Sequence, residues 1–266
     1  MLSHQLIAGS ATLGKLHSRK AVAAMVDRLV ANGLTTFDTA PLYGEGCMET
    51  LLGGCLAGRP EILINTKFGL EVPVDSRLLR KSYFVSKVVQ KLARKLVPSV
   101  HVSRAADIVR HAETSLSRSL DELGLPIDVF FAHEVPISLL ETADFIQFLQ
   151  SAKRRGLFRR FGLGGYRRQY EITEFTPIWH EVDVVQVESI PGQPVRTPQG
   201  WEGEVFLHGV LSTLRPLLTQ GRSKPTALAA LAYEAMGPQN ADRLVVGFSR
   251  GESLEEFVHA ISTFKQ

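Results

Sequence analysis

Short apolar or β-branched runs alternate with helix-patterned segments along most of this chain, and that alternation restricts its architecture more than any other feature. Gln5–Ala8, Leu34–Phe37, Glu61–Thr66, Asp128–Ala132, Phe158–Gly162, Asp183–Val187, Val205–Leu207 and Leu244–Val246 read as eight strands. Among the helical patterns, Arg104–Leu123 is the clearest. Ile108, Ala112, Leu116, Leu120 and Leu123 recur at spacings of three and four and form one apolar face, which Gly124 and Pro126 terminate. Ser18 is placed to cap a helix through Ala31, stopped by Asn32-Gly33; Glu45–Leu56 is helical; Ser138 caps a helix through about Arg155; Thr226–Met236 and Ser253–Phe264 are the last helices. Strands alternating with helices predict right-handed βαβ units and a parallel sheet. Eight such units are what a closed (β/α)8 TIM barrel takes. The rival is an open doubly wound sheet, which would carry G-x-G-x-x-G after its first strand. The string from Gly9 to Gly14 lacks the middle glycine. With no linker or low-complexity stretch to divide it, the chain reads as a single α/β domain over residues 1–266.

Two stretches interrupt the rhythm. Gly69 to Ser103 is a long insertion after the third strand, containing a basic helical pattern over Arg77–Leu96 that suits a solvated face or a lid. Ser189 to Glu204 is rich in Pro and Gly without helical period, so the sixth helix is expected to be reduced or missing.

Composition closes off several function classes. Lys plus Arg exceeds Asp plus Glu by 30 − 27 = 3, too little to point to nucleic acid. The longest unbroken apolar run, Ala227 to Tyr233, is seven residues, whereas a membrane helix takes roughly 20. No signal peptide is recognisable. The two cysteines, Cys47 and Cys55, are eight residues apart in one helical pattern. Their Cα atoms would lie roughly 12 Å apart at about 1.5 Å rise per residue, beyond the ~4.4–6.8 Å of a disulfide. Free thiols fit a cytoplasmic location.

In a parallel barrel, reactive groups sit at the C-terminal ends of the strands. There the second strand delivers Asp38, with Tyr43 five residues on; the third delivers Lys67; the fourth delivers His133. A Lys ammonium beside a Tyr oxygen favours the phenolate and should lower the Tyr pKa. Asp38 can balance the Lys67 charge, and His133 can hydrogen-bond a carbonyl oxygen. The set describes a tuned proton donor aimed at an oxygen gaining negative charge, as hydride addition to a carbonyl requires. Lys67 could instead be the Schiff-base lysine of a barrel aldolase, although Tyr43 and Asp38 favour reduction. His133-Glu134 makes a poor chelate, because successive strand residues point to opposite faces, and no zinc-type spacing occurs; no metal is expected.

The stretch GLTTFDTAPLYGEGCMETLLG from Gly33 to Gly53 resembles the aldo-keto reductase signature, and INTKFG around Lys67 and DVFFAHE around His133 resemble that family's other catalytic segments. The resemblance implies that Asp38, Tyr43, Lys67 and His133 are the catalytic tetrad. It also implies a barrel that binds a nicotinamide dinucleotide and exchanges hydride with a small aldehyde, ketone or alcohol, Tyr43 protonating the oxygen. Gln186 matches the family's carboxamide-binding Gln. VVGFSRGESLEEF resembles the segment that binds the adenosine phosphate. There Gly247 would allow close backbone approach, Ser249 and Arg250 would meet a 2′-phosphate, and Glu256 would contact adenine. Arg suits a phosphate through its two parallel donors, so NADP (NADPH) is expected in preference to NAD. His208-Gly209 aligns with the loop that wraps the pyrophosphate.

The chain also departs from the family. The turn after the fifth strand reads Gly162-Leu163-Gly164-Gly165-Tyr166, without the usual Ser and Asn, so only backbone groups such as those of Gly164 could hold the carboxamide there. The family's stacking Tyr aligns with Ser189, leaving Tyr166 or Trp201 as candidate substitutes; Phe257 stands where an Asn is common. These departures keep open a second expectation, a non-catalytic binding or regulatory member of the fold. Tyr83, Phe84 and Trp201 are candidate pocket residues.

Overall fold

The computed structural model describes residues 5–71, 100–101, 105–170, 174–213 and 224–263. Its strands are β1 (Leu6–Gly9), β2 (Thr36–Asp38), β3 (Leu63–Phe68), β4 (Leu70–Glu71), β5 (Val100–His101), β6 (Ile127–His133), β7 (Phe158–Gly165), β8 (Val182–Glu188), β9 (Glu204–His208) and β10 (Arg243–Val246). Eight of them close a parallel barrel in the order β1-β2-β3-β6-β7-β8-β9-β10, with β10 returning to β1. The expected (β/α)8 barrel is therefore present. β4 and β5 pair antiparallel at the two ends of the long insertion. Residues 72–99, with the basic helical pattern, Tyr83 and Phe84, lie outside the described residues.

The helices are α1 (Arg19–Ala31), α2 (Met48–Leu56), α3 (Ala105–Leu123), α4 (Ile137–Leu140), α5 (Ala143–Arg154), α6 (Arg167–Tyr170), α7 (Lys224–Met236) and α8 (Gly251–Thr263). Ser18 caps α1 as expected, its hydroxyl accepting from the Ala21 N–H at 3.1 Å. On α3, Ile108, Ala112, Leu116 and Leu123 are buried and Leu120 packs beside them.

Two helices differ from expectation. The segment capped at Ser138 breaks into α4 and α5, and Thr142 is the working cap, accepting from the Phe145 N–H at 3.3 Å. The segment beginning at Glu45 starts instead as a tight 3-10 turn, Tyr43–Gly46, because Gly44 (φ 57°) and Glu45 (φ 59°) adopt left-handed backbone. Cys47 thus precedes α2 while Cys55 lies within it, and both are free thiols.

Ile7, Val129, Phe131, Val184, Phe206 and Val245 fill the barrel interior, one side chain from each of β1, β8, β9 and β10 and two from β6. Gly162 makes room for this packing, since a Cβ there would overlap the Phe131 ring. The remaining apolar side chains form a second layer between strands and helices. Strand alternation then sets the next inward layer above this plug: Gly9, Asp38, Lys67, His133, Gly164, Gln186, His208 and Gly247.

The crossover after β8 has no helix, as the Pro/Gly pattern suggested. It is tied down instead. Buried Arg167 donates to the Glu188, Gln193 and Pro194 carbonyls and to the Gln239 side chain. Gln239 also accepts from the Ile190 N–H at 2.9 Å. Trp201 anchors the far end of the crossover, its indole N–H donating to the Val182 carbonyl at 2.7 Å and its ring meeting Trp179 edge-on. Among the described residues no helix is long and apolar enough to cross a membrane.

Candidate active site

A cavity of about 580 Å³ opens at the C-terminal rim of the barrel. Asp38, Tyr43, Lys67, His133, Gly164, Gln186, His208 and Gly247 all line it. Strand register brings them there: Asp38 pairs with Asn65, Lys67 with Phe131, His133 with Gly164, Gly164 with Gln186, and Glu188 with His208.

At its base Lys67 donates to both Asp38 oxygens, at 2.6 and 2.7 Å, and to the Thr39 carbonyl at 2.9 Å. Both side chains are almost fully buried, 3% exposed each. Burial pulls the Lys67 pKa down, but the charges and hydrogen bonds of Asp38 and Tyr43 outweigh it, and the net shift is upward. Lys67 is therefore an ammonium, a poor nucleophile, which argues against a Schiff base.

The Lys67 ammonium lies 5.2 Å from the centre of the Tyr43 ring. His133 meets that ring edge-on, with centroids 6.4 Å apart. The structure corrects one expectation here. Burial raises the Tyr43 pKa above 10.0, and the opposing Lys67 charge recovers only part of the shift. Tyr43 is a neutral phenol holding its proton, rather than an incipient phenolate.

Glu49 fastens the Tyr43 turn to the strand carrying Lys67. It is buried on α2, accepts from Thr66 Oγ1 at 2.5 Å and is met by Ser119 from α3 at 3.0 and 3.1 Å. Burial, above all, pushes its carboxyl from 4.5 to about 7, while the Thr66 hydrogen bond restrains the rise. A carboxyl raised in the folded state contributes stability below its unfolded pKa of 4.5 and loses it as pH climbs through about 7. Glu49→Gln, neutral at every pH, should thus exceed the native protein in stability above pH 7 by on the order of 3 kcal/mol. Thermal unfolding at two pH values, about 5 and about 8.5, checks this. The gain belongs to the higher pH alone, and an equal gain at both would dismiss ionisation as its cause.

Gln186 is buried on β8, 3% exposed, and its side-chain oxygen meets no donor among the described residues. An orphan acceptor of this kind costs about 1–3 kcal/mol unless a ligand satisfies it. Gln186 lines the cavity, where a side-chain amide suits the carboxamide of a nicotinamide, and the residues present thus fit that group. Burial lowers the His208 pKa, so this residue stands in the cavity as a neutral imidazole, Nε2 lying 3.4 Å from the Gly165 carbonyl oxygen. Ser249 and Arg250 are exposed immediately before α8, and Glu256 is exposed on it. Phe257 is fully buried in the core, which explains an apolar residue there.

Of the two candidate replacements for a stacking aromatic, Tyr166 lines the cavity. Trp201 does not. It lies just before β9 and against Val182, at the opposite end of the strands. Ser189 is absorbed by the crossover, donating to Gln239 at 3.2 Å.

Glu134 is the cavity residue that sequence reasoning misjudged. It leaves β6 with φ 57°, so it lines the same cavity as His133 instead of pointing away. Among the described residues no group of three His, Cys, Asp or Glu side chains is placed to hold a metal ion.

Fold, rim and cavity together define a barrel of the aldo-keto reductase type. The aldo/keto reductase family model matches residues 5–189, and the chain belongs to that family, whose members are oxidoreductases that generally bind a nicotinamide cofactor. The chain is 28% identical over 183 residues to a pyridoxal 4-dehydrogenase of Microbacterium luteolum. That match covers 62% of this chain and 46%, about half, of the relative. Among solved structures, an aldo-keto reductase from Bacillus halodurans in its holo form superposes with a TM-score of 0.70 at 17% identity, covering 98% of this chain and 88% of the other. A protein of Pseudomonas aeruginosa assigned to the same family gives 0.68 at 21% identity, over 97% of this chain and 90% of that one. At such identities these likenesses speak to the fold.

Proposed function

We propose that this chain is an NADP-preferring oxidoreductase that interconverts a small aldehyde or ketone with its alcohol. The observation that carries the reading is the buried Asp38–Lys67 pair beneath Tyr43 and His133, at the floor of a cavity large enough for a small substrate. In the reducing direction Tyr43 donates its phenolic proton to the substrate oxygen. Lys67, kept cationic by Asp38, stabilises the negative charge left on the phenolate. His133 donates a hydrogen bond to the same substrate oxygen and orients it. Gln186, His208 and the Gly164 backbone would hold the nicotinamide end, and Gly247, Ser249, Arg250 and Glu256 the adenosine end. When bound, the reduced cofactor supplies hydride.

The related dehydrogenase carries out chemistry of the same broad class. A cytoplasmic setting suits the two free thiols. One observation favours the second reading, a non-catalytic binding barrel: Ser189 serves the crossover and offers no aromatic face.

Fluorescence titration with NADPH and NADH separates the readings. NADPH should bind more tightly than NADH, and Arg250→Ala should weaken NADPH by about tenfold or more with little change for NADH. Equal losses for both would remove Arg250 from the 2′-phosphate; no binding of either dinucleotide would leave the non-catalytic reading standing.

A further inference from the structure

Glu134 occupies a position that its backbone does not favour. Its φ of 57° is left-handed, where Gly would fit without strain. The conformation is enforced from several sides. The Glu134 N–H donates to the Gly164 carbonyl at 2.7 Å, and Gln169 Nε2 donates to the Glu134 carbonyl at 3.5 Å. Tyr170 OH, from α6, donates to the Gly164 carbonyl at 3.1 Å and reaches the Val135 carbonyl at 3.5 Å. A strained residue held this firmly, directly after His133 and on the wall of the cavity, is a pointer to function.

The charge balance of the cavity says which function. Asp38 and Lys67 neutralise one another at the base. Lys15, exposed, ends the turn after β1, three strands round the rim from β6. The Glu134 carboxylate is half-buried and forms no ion pair among the described residues. It stands close enough to Tyr43 that its charge adds, after burial and Asp38, to the forces keeping the phenol protonated. Its Cγ packs 3.2 Å from where a Cβ on Gly165 would be. The next residue is Tyr166, 44% exposed, which also lines the cavity. That ring already draws a cation, the Arg168 guanidinium, to 5.2 Å from its centre. Arg168 forms no ion pair with Glu134. A carboxylate and an aromatic ring lining the same cavity attract positive charge, and the carboxylate repels anions.

We propose that Glu134, with Tyr166 beside it, makes this cavity selective for carbonyl or alcohol substrates that carry a cationic nitrogen. The inference rests on the oxidoreductase reading and names the substrate class for the same site. No new covalent step is involved. The substrate's cationic group lies against Glu134 while its oxygen faces Tyr43 and His133.

An isosteric pair isolates the charge: 5-(trimethylammonio)pentanal and 6,6-dimethylheptanal have nearly the same shape, and four methylenes insulate the carbonyl from the electron withdrawal of the ammonium. The native enzyme with NADPH should reduce the cation with a kcat/KM about fivefold higher or more, and Glu134→Gln should bring the ratio to about unity. Glu134→Gly, which relieves the left-handed backbone, should do the same, so a folding defect in one variant does not decide the matter. Saturation-transfer NMR on the same aldehydes reads binding without turnover. Equal kcat/KM for the pair in the native protein, or a preference that survives both substitutions, overturns the proposal while leaving reduction intact. Binding that favours the cation through Glu134 with neither aldehyde reduced overturns the oxidoreductase reading and upholds the charge selection.

Discussion

Replacing Tyr43 by Phe should lower turnover by about 10²–10⁴-fold while changing dinucleotide affinity little. The phenylalanine keeps the ring between Lys67 and His133 and removes only the oxygen and its proton. On the proposed reading cofactor affinity rests on other residues, Gln186 and the segment from Gly247 to Glu256, so the two quantities should separate cleanly. The pH behaviour is a second reading of the same group. Burial holds the Tyr43 pKa above 10.0 despite Lys67. Its proton is thus present throughout the neutral range and is lost only above pH 10. The ultraviolet phenolate signal of the native protein minus that of Tyr43→Phe should therefore stay flat from neutral pH up to that point. A difference signal rising near pH 8 would mean that Lys67 dominates burial, and turnover within a few-fold of native would remove Tyr43 from the chemistry.

The barrel and the cluster of polar residues at its rim were legible in the sequence for the same reason. Short apolar strand runs and period-3.6 helices are local patterns, and Asp38, Lys67 and His133 lie at the ends of strands whose polarity follows from the parallel fold. The absent sixth helix was legible too, from proline and glycine. What replaces that helix was not. Arg167 and Gln239 are 72 residues apart and meet only in the folded chain. Glu134 was misjudged because alternation holds only while the strand continues, and one left-handed residue turns its side chain into the cavity. Trp201 was misplaced because aromatic character says nothing of which end of the barrel a residue occupies. The direction of the Tyr43 shift depends on burial outweighing a nearby charge, and that balance is set by packing rather than by residue type.

The Asp38–Lys67 pair should reveal itself through non-additive stability losses. Each side chain alone is costly to leave behind: Lys67→Met strands a buried carboxylate, and Asp38→Asn strands a buried ammonium. Breaking a buried pair from one side costs about 3–5 kcal/mol, because the surviving charge has lost both water and partner. Removing both charges together leaves nothing uncompensated, so Asp38→Asn/Lys67→Met should be far more stable than the sum of its parents implies. Urea denaturation of the three variants gives the coupling directly. Turnover should behave oppositely. It should fall by about 10²–10³-fold in Lys67→Met and stay there in the double variant, since no cation remains to stabilise the Tyr43 phenolate. If the double variant merely sums the two losses, the pair is not coupled. If it regains turnover along with stability, Lys67 serves the fold and not the proton transfer. The barrel would then be carrying a buried ion pair for a structural reason alone, which a well-packed apolar pair would meet as well or better.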